Sequence, residues 1–369
     1  MNITHVVENL NRGGLERMVL ELVKIQHRQG HHCQVVCLFE AGSQAHELDA
    51  LGIPVTGCHK RQGLDLRALA KARGMIRRHD TEVLHTHNAV AHNQAVLASC
   101  GLGVRRVLNT RHGMSINQRS GRREWLYRRS LAHTDTVVTV CEAARRDAVA
   151  RGIVPKLKAE VVPNGIPVDA FIRASADMRE RLLETLKLPP HSKLIGNVGR
   201  LNWAKDQVGL IQAFRRTHAL RSDTALVLIG DGELRAQLEQ CAQEEGVRQS
   251  VHFLGDRNDV HELLQGLDLF VLSSRSEGYS MALLEACAVA LPIVATDVGG
   301  NGEIVHDGRT GRLVPAGNPR ALADAMLALL QEPQQATACG RAARAWVEQN
   351  GSLEAMAGRY ARLYQQTRD

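Results

Sequence analysis

Short apolar runs rich in β-branched residues alternate with amphipathic helical stretches along this chain, stop once, and then begin again. No other feature limits the fold as much. A strand followed by a helix and then another strand rejoins its sheet in parallel, with helices covering both faces. In the first half the strand-like runs are residues 3–7, 34–38, 83–85, 106–109, 136–140 and 160–162, with helical patterns at 15–29, 66–78, 93–99 and 124–132. Val162-Pro163-Asn164-Gly165-Ile166-Pro167 then breaks the rhythm with two prolines and a glycine, and reads as a hinge. Beyond it, strand-like runs recur at 194–198, 225–229, 251–254, 269–272, 293–296 and 311–314. Helical patterns follow at 206–220, 233–245, 260–264, 282–289 and from 319 onward. The expected class is α/β, with two doubly wound domains at 1–165 and 166–350. The 369 residues suit two cores better than one. Such a pair places a ligand cleft between the carboxyl ends of two parallel sheets.

Composition narrows the partners. Lys and Arg outnumber Asp and Glu by 24 to 14 in residues 1–165, and the remainder reverses this at 22 to 25. Between Arg105 and Arg129 eight arginines face one acid, Glu124. A patch of that kind suits anionic lipid head groups, a phosphorylated acceptor or nucleic acid, or is simply a solvated basic face. Aromatic residues are only 3% of the chain, which leaves few platforms for stacking bases and argues against nucleic acid. The eight cysteines are scattered without a C-x-x-C pair, mostly in apolar contexts, as reduced core thiols are. Met1 leads straight into residues 3–7 without a basic region or cleavage site, and no apolar run approaches the ~20 residues of a membrane span. The expected location is the cytoplasm.

Four groups of residues carry chemistry. Gly199-Arg200-Leu201-Asn202-Trp203-Ala204-Lys205-Asp206 follows a strand and opens a helix, where free backbone N–H groups, Arg200 and Lys205 can surround a diphosphate. It lacks the spacing of a Walker loop, and a solvated surface loop is the alternative. Ser276-Glu277-Gly278-Tyr279-Ser280-Met281 leads into a helix that carries Glu285 among Leu284, Ala286 and Cys287. A carboxylate there calls for a ligand hydroxyl, unless Glu285 is exposed and Glu277 part of an N-cap. Asn11-Arg12-Gly13-Gly14-Leu15-Glu16 opens the first helix with amides that could cradle a phosphate, but lacks the third glycine of a dinucleotide fingerprint. His85-Thr86-His87-Asn88 and Thr110-Arg111-His112-Gly113 stand at strand ends facing the cleft, without metal-ligand spacing to a carboxylate.

As an ordered set these residues resemble the retaining nucleotide-sugar glycosyltransferases of family 4, group 1, which have the GT-B fold. The resemblance runs through Gly13-Gly14, His112-Gly113, Pro163-Asn164-Gly165, Gly199-Arg200, Lys205, the E-x7-E pair Glu277 and Glu285, Leu291-Pro292, Gly299-Gly300 and Thr310-Gly311. It implies two Rossmann-like domains facing across a cleft, with 351–369 forming a helix that crosses back to the first. It also implies a metal-independent, hexosyltransferase-type enzyme without a cofactor, its donor a nucleotide-diphosphate sugar. Arg200 and Lys205 would hold the diphosphate as it leaves, Glu277 the transferred sugar, and Glu285 the ribose. The backbone of Gly278, Tyr279, Ser280 and Met281 would face the sugar and phosphate. Gly13 and Gly14 would approach the diphosphate once the cleft closes. His112 would contact the sugar or the reacting centre, and Leu254 and Arg257 would border the base. Many members carry proline or glycine where Ser280 stands, so the sugar pocket would differ in detail.

The Gly-Gly-Leu-Glu and Glu-Gly-Tyr-Ser-Met stretches look most like enzymes of bacterial exopolysaccharide or lipopolysaccharide synthesis. His87, Arg111 and the stretch from Arg105 to Arg129 would serve a glycan or lipid-linked acceptor. An anionic lipid-linked glycan would place the protein peripherally at the inner face of the membrane. A nucleotide-sugar epimerase and a non-catalytic nucleotide-sugar binder are the competing expectations. No paired acid and base favours the first, and the complete set Arg200, Lys205, Glu277 and Glu285 weighs against the second.

Overall fold

The computed structural model describes residues 1–11, 13–63, 65–113, 121–171 and 177–366, the side chains of residues 122 and 123 excepted. The chain divides into two compact units, Met1–Gly165 with Leu353–Asp369, and Ile166–Ser352. All eight cysteines are free thiols, six of them buried. Burial pushes Cys33, Cys37 and Cys287 up to about 12. No helix among the described residues is long and apolar enough to cross a membrane.

Unit 1 is built on seven parallel strands: β1 (Asn2–Val7), β2 (His32–Cys37), β3 (Val55–Gly57), β4 (Val83–His87), β5 (Arg106–Arg111), β6 (Thr136–Thr139) and β7 (Ala159–Val161). Their order in the sheet is β3-β2-β1-β4-β5-β6-β7. One face is closed by Val6, Val36, Leu38 and Leu84 against Ala72, Ile76, Ala91 and Ala95. The helix Gly14–Arg28 and the last helix, Leu353–Gln365, pack together. The last helix buries Leu353, Met356, Ala357, Tyr360, Leu363 and Tyr364, the spacing of a single helical face. Residues 351 and 352 belong instead to unit 2, where Ile166 pairs with Ser352.

Unit 2 holds six parallel strands, β8 (Lys193–Val198), β9 (Thr224–Ile229), β10 (Val251–Gly255), β11 (Leu269–Leu272), β12 (Ile293–Thr296) and β13 (Arg312–Val314), ordered β10-β9-β8-β11-β12-β13. The central strands are buried on both faces, so they read as unbroken apolar runs. Ile195, Leu226, Leu228, Leu269 and Val271 pack with Leu210, Phe214 and Met326, each fully buried. Each such side chain contributes about 1.5–3 kcal/mol of burial free energy. Both sheets reverse their strand order once, at β1/β4 and at β8/β11, and such a switch point opens a crevice at the carboxyl ends of the strands.

Two further expectations need correction. Strand β4 extends to His87 rather than ending at His85, because its polar residues pair inside the unit instead of facing solvent. The described arginines between Arg105 and Arg129 do not form one patch. Strand β5 carries Arg106 at its start and Arg111 at its end, some 16 Å apart at ~3.3 Å per residue. Arg106 is buried beside Asp135 and donates to Gln366, while Arg105 donates to the Tyr364 carbonyl. Arg111 lies over the Tyr127 ring. Arg119 lies outside the described residues. The exposed remainder is the helix Gly121–Ser130, which presents Trp125, Leu126, Arg128 and Arg129, with Arg128 paired to Glu124.

Candidate active site

The switch point of unit 2 assembles Lys205, Glu277 and the supports of both. The loop after β8 ends in a short turn, Trp203–Lys205, capped by the Asn202 side chain on the Lys205 N–H. Asp206 follows in the left-handed region at φ 48°, tolerable for aspartate, and its carboxylate caps the helix Gln207–Leu220 at Gly209. Arg275, on the loop after β11, pairs with Asp206 at 3.0 Å. The two loops are joined again where Ser273 and Arg275 donate to the Lys205 and Ala204 carbonyls.

These ties bring the Lys205 ammonium 2.5 Å from Glu277 Oε1, which also accepts from the Ser274 hydroxyl at 2.6 Å. The pair is mostly out of water, with side chains 20% and 9% exposed, so its attraction is stronger than that of a surface pair. Among the described residues Glu277 Oε2 accepts nothing and the exposed Arg200 guanidinium has no ion pair, although Gln207 holds the Arg200 carbonyl. Two acceptor lone pairs and one free cation therefore stand on adjoining loops.

Tyr279 and Ser280 are buried, and Ser280 caps the helix Met281–Ala288 at the Leu283 N–H. Glu285 is half-buried on that helix. Leu254 is half-buried on β10, and exposed Arg257 makes a two-point pair with Asp259 that holds the Asp259 carboxyl below its usual range. The resemblance ran through Gly299-Gly300 but gave the pair no role, and the structure shows it supporting the Glu277 loop. Gly300 donates to the Gly278 carbonyl, and a Cβ on Gly299, at φ +55°, would lie 1.9 Å from the Glu277 carbonyl. Gly299→Ala is expected to cost about 2–4 kcal/mol and to move Glu277 away from Lys205. Urea unfolding of the variant measures it. An unchanged midpoint would mean that this close approach is not a constraint.

In unit 1 the helix starts at Gly14, and the Glu16 carboxylate folds against Gly13, within 2.2 Å of where a Cβ would stand. Arg12 lies outside the described residues. Four histidines form a chain at the switch point: His5 on β1, His85 and His87 on β4, and His112 just after β5. His5 Nδ1 is 3.1 Å from His87 Nε2, and His87 Nδ1 is 3.0 Å from His112 Nε2. Burial lowers His5 to about 4 and His112 to about 3, and drops His85 and His87 well below the usual imidazole value. His87, expected on the acceptor side, is 1% exposed with both ring nitrogens engaged by neighbouring imidazoles, so neither nitrogen is open to a substrate. The ring nitrogens of His5, His85 and His87 are also near enough to hold a cation. Each is already hydrogen-bonded, to Gln26, Tyr364, Thr110 or a neighbouring imidazole, so binding would break those bonds.

Comparison with known proteins bears on both units. The chain is 27% identical over 304 residues to the N-acetyl-alpha-D-glucosaminyl L-malate synthase of Bacillus anthracis, covering 81% of this chain and 78% of that one. It is 25% identical over 328 residues to a UDP-Gal:alpha-D-GlcNAc-diphosphoundecaprenol alpha-1,3-galactosyltransferase of Escherichia coli, covering 85% and 84%. Among solved structures, Anabaena HepE in complex with UDP superposes with a TM-score of 0.87 at 21% identity, over 98% of this chain and 99% of that one, which shows a two-domain α/β GT-B fold. A model described as glycosyl transferases group 1 matches residues 178–346 and one described as glycosyltransferase family 4 matches residues 12–170, so the chain belongs to the family 4, group 1 glycosyltransferases.

Proposed function

We infer that this glycosyltransferase moves a sugar from a nucleotide-diphosphate donor to a glycan or lipid-linked acceptor in bacterial surface-polysaccharide synthesis, with retention and without a metal or other cofactor. The observation that carries this reading is the Lys205–Glu277 pair on the loops at the carboxyl ends of β8 and β11, with Arg200 on the same loop as Lys205 and without an ion pair among the described residues. Two cations there neutralise a departing diphosphate. Glu277 Oε2 is left to accept from hydroxyls of the transferred sugar, and Glu285 to accept from those of the ribose. The backbone from Gly278 to Met281 faces the sugar and phosphate.

The proposed step is a front-side attack in which no side chain bonds to the sugar. The bond from the anomeric carbon to the β-phosphate oxygen breaks. The acceptor oxygen bonds to that carbon from the same face, and its proton passes to the leaving phosphate. The name of the E. coli relative, with its diphosphoundecaprenol-linked acceptor, supports a lipid-linked acceptor here. The exposed Trp125, Leu126, Arg128 and Arg129 of the helix Gly121–Ser130 would then rest on an anionic membrane surface from the cytoplasmic side.

The test is thermal unfolding in EDTA with UDP-, GDP-, ADP- and dTDP-sugars. One base should raise the midpoint of unit 2 by roughly 5–10 °C at a hundred times its Kd, and Arg200→Ala should abolish the shift. No shift with any donor would overturn the reading of the site. Donor binding followed by transfer to a small hydroxy acid, rather than to a lipid-linked sugar, would overturn the acceptor assignment alone.

A further inference from the structure

The histidine chain of unit 1 has a direction. Gln26 Oε1 faces His5 Nε2 at 2.8 Å, and Gln26 Nε2 donates to the Tyr364 hydroxyl at 3.0 Å. An amide oxygen only accepts, so His5 carries its proton on Nε2 and leaves Nδ1 bare. His87 Nε2 therefore donates to His5 Nδ1 at 3.1 Å, which leaves His87 Nδ1 as an acceptor. His112 Nε2 must then donate to His87 Nδ1 at 3.0 Å, and the last lone pair in the series is on His112 Nδ1. That atom is buried and has no hydrogen-bond partner among the described residues.

The second branch has the same polarity. Tyr364, having accepted from Gln26, donates to His85 Nδ1 at 2.7 Å, and His85 Nε2 donates to Thr110 Oγ1 at 2.8 Å. Thr110 pairs with the Tyr360 hydroxyl at 3.0 Å. Among the described residues, every polar atom of the network has a partner except the one at its end. A buried acceptor left alone costs about 1–3 kcal/mol, so an unmatched atom in an otherwise complete network points to a ligand.

We propose that Gln26, His5 and His87 are positioning residues that hold His112 protonated at Nε2, so that its Nδ1 accepts a hydrogen bond from a substrate hydroxyl. Asn88 Oδ1, which accepts the His112 backbone N–H at 3.2 Å, keeps the residue in place. In the opposite tautomer His112 would present a proton to a hydroxyl and bind only through its oxygen lone pair. The relay therefore selects how the sugar hydroxyl is held. Because the hydroxyl is assigned to a sugar, this inference rests on the glycosyltransferase reading of the site.

The experiment is a nitrogen–proton correlation spectrum of the full chain with labelled histidine, the His112 signals being assigned from their loss in His112→Asn. The expected result is a single His112 tautomer, protonated at Nε2. Gln26→Leu should let both tautomers appear and lower kcat about tenfold, while leaving the nucleotide-induced thermal shift of unit 2 unchanged. In His112→Asn the amide oxygen takes the place of Nδ1 without needing the relay. That variant should outperform His112→Leu and should lose nothing further when Gln26→Leu is added.

Should Gln26→Leu not fold, Tyr364→Phe carries the same test, since it removes the acceptor that orients the Gln26 amide. A His112 protonated at Nδ1 in the unaltered chain would overturn the proposal. So would an equal loss from Gln26→Leu in the His112→Asn background. The tautomer is measured without substrate, so failure of the donor assignment would show separately, in the thermal shift.

Discussion

Lys205→Ala should lower kcat/KM by about 100- to 1,000-fold, the cost of removing one preorganised charge from the path of a leaving group. A single charge-assisted hydrogen bond, at ~1.5–3 kcal/mol, accounts for one to two decades. The geometry adds the rest. Glu277 Oε1 lies 2.5 Å from the ammonium and is mostly shielded from water. Removing Lys205 leaves that carboxylate uncompensated and repelling the diphosphate. Lys205→Ala combined with Glu277→Gln should therefore recover part of the donor affinity while kcat stays low. Lys193→Ala is the control, since Lys193 begins β8 and pairs with Asp268 away from the site. Steady-state kinetics with a radiolabelled donor sugar separates these outcomes. Wild-type rates in Lys205→Ala would remove the proposed charge stabilisation altogether.

Acidification should unfold unit 1 between pH 6.5 and 4, in a window set by its buried imidazoles. His5 is lowered to about 4, and His92 and His112 to about 3, all by burial, from the ordinary value of 6.5. The sign is that of a depressed folded-state value: below pH 6.5 the unfolded chain takes up protons that the folded chain refuses, so stability falls as pH falls. His5 alone accounts for roughly 3 kcal/mol at pH 4 relative to pH 7. His85 and His87 add to this as part of one coupled system rather than as independent sites. Unfolding midpoints from pH 7.5 to 4.5 should drop steeply, with several protons absorbed per molecule on unfolding. His92→Gln, which keeps a polar side chain between Thr86 and Thr134, should reduce that uptake by about one. A flat profile over the same range would mean that the imidazoles are charged in the folded state.

The architecture was legible because parallel strands buried on both faces leave a long apolar signature. Leu269–Leu272 and Ile293–Thr296 coincide with the expected runs to the residue. Strand β3 was missed for the complementary reason, having only three half-buried residues at a sheet edge. In the candidate site, Arg200, Lys205 and Glu277 were readable from the sequence as charges on loops after strands. What Lys205 and Glu277 lean on did not. Ser274, Asp206, Arg275 and the close approach of Gly299 depend on how two loops meet, which no local pattern records. The histidine chain shows the same limit more sharply. His85, His87 and His112 stood out, but His5 joins them through the β1–β4 register. Gln26 and Tyr364 lie 338 residues apart and meet only in the tertiary fold.

That separation also sets an order of events during synthesis. The sheet of unit 1 is complete once residue 161 has been made, yet its histidines lack Tyr360 and Tyr364 until the helix Leu353–Gln365 emerges. At about 5–20 residues per second, the nascent unit waits roughly 10–40 s with the seat of that helix uncovered. Unit 2, continuous in the chain, can close meanwhile. The N-terminal half is thus the later of the two to reach its final state, and during that interval it is the part of the nascent chain a chaperone or protease would find open.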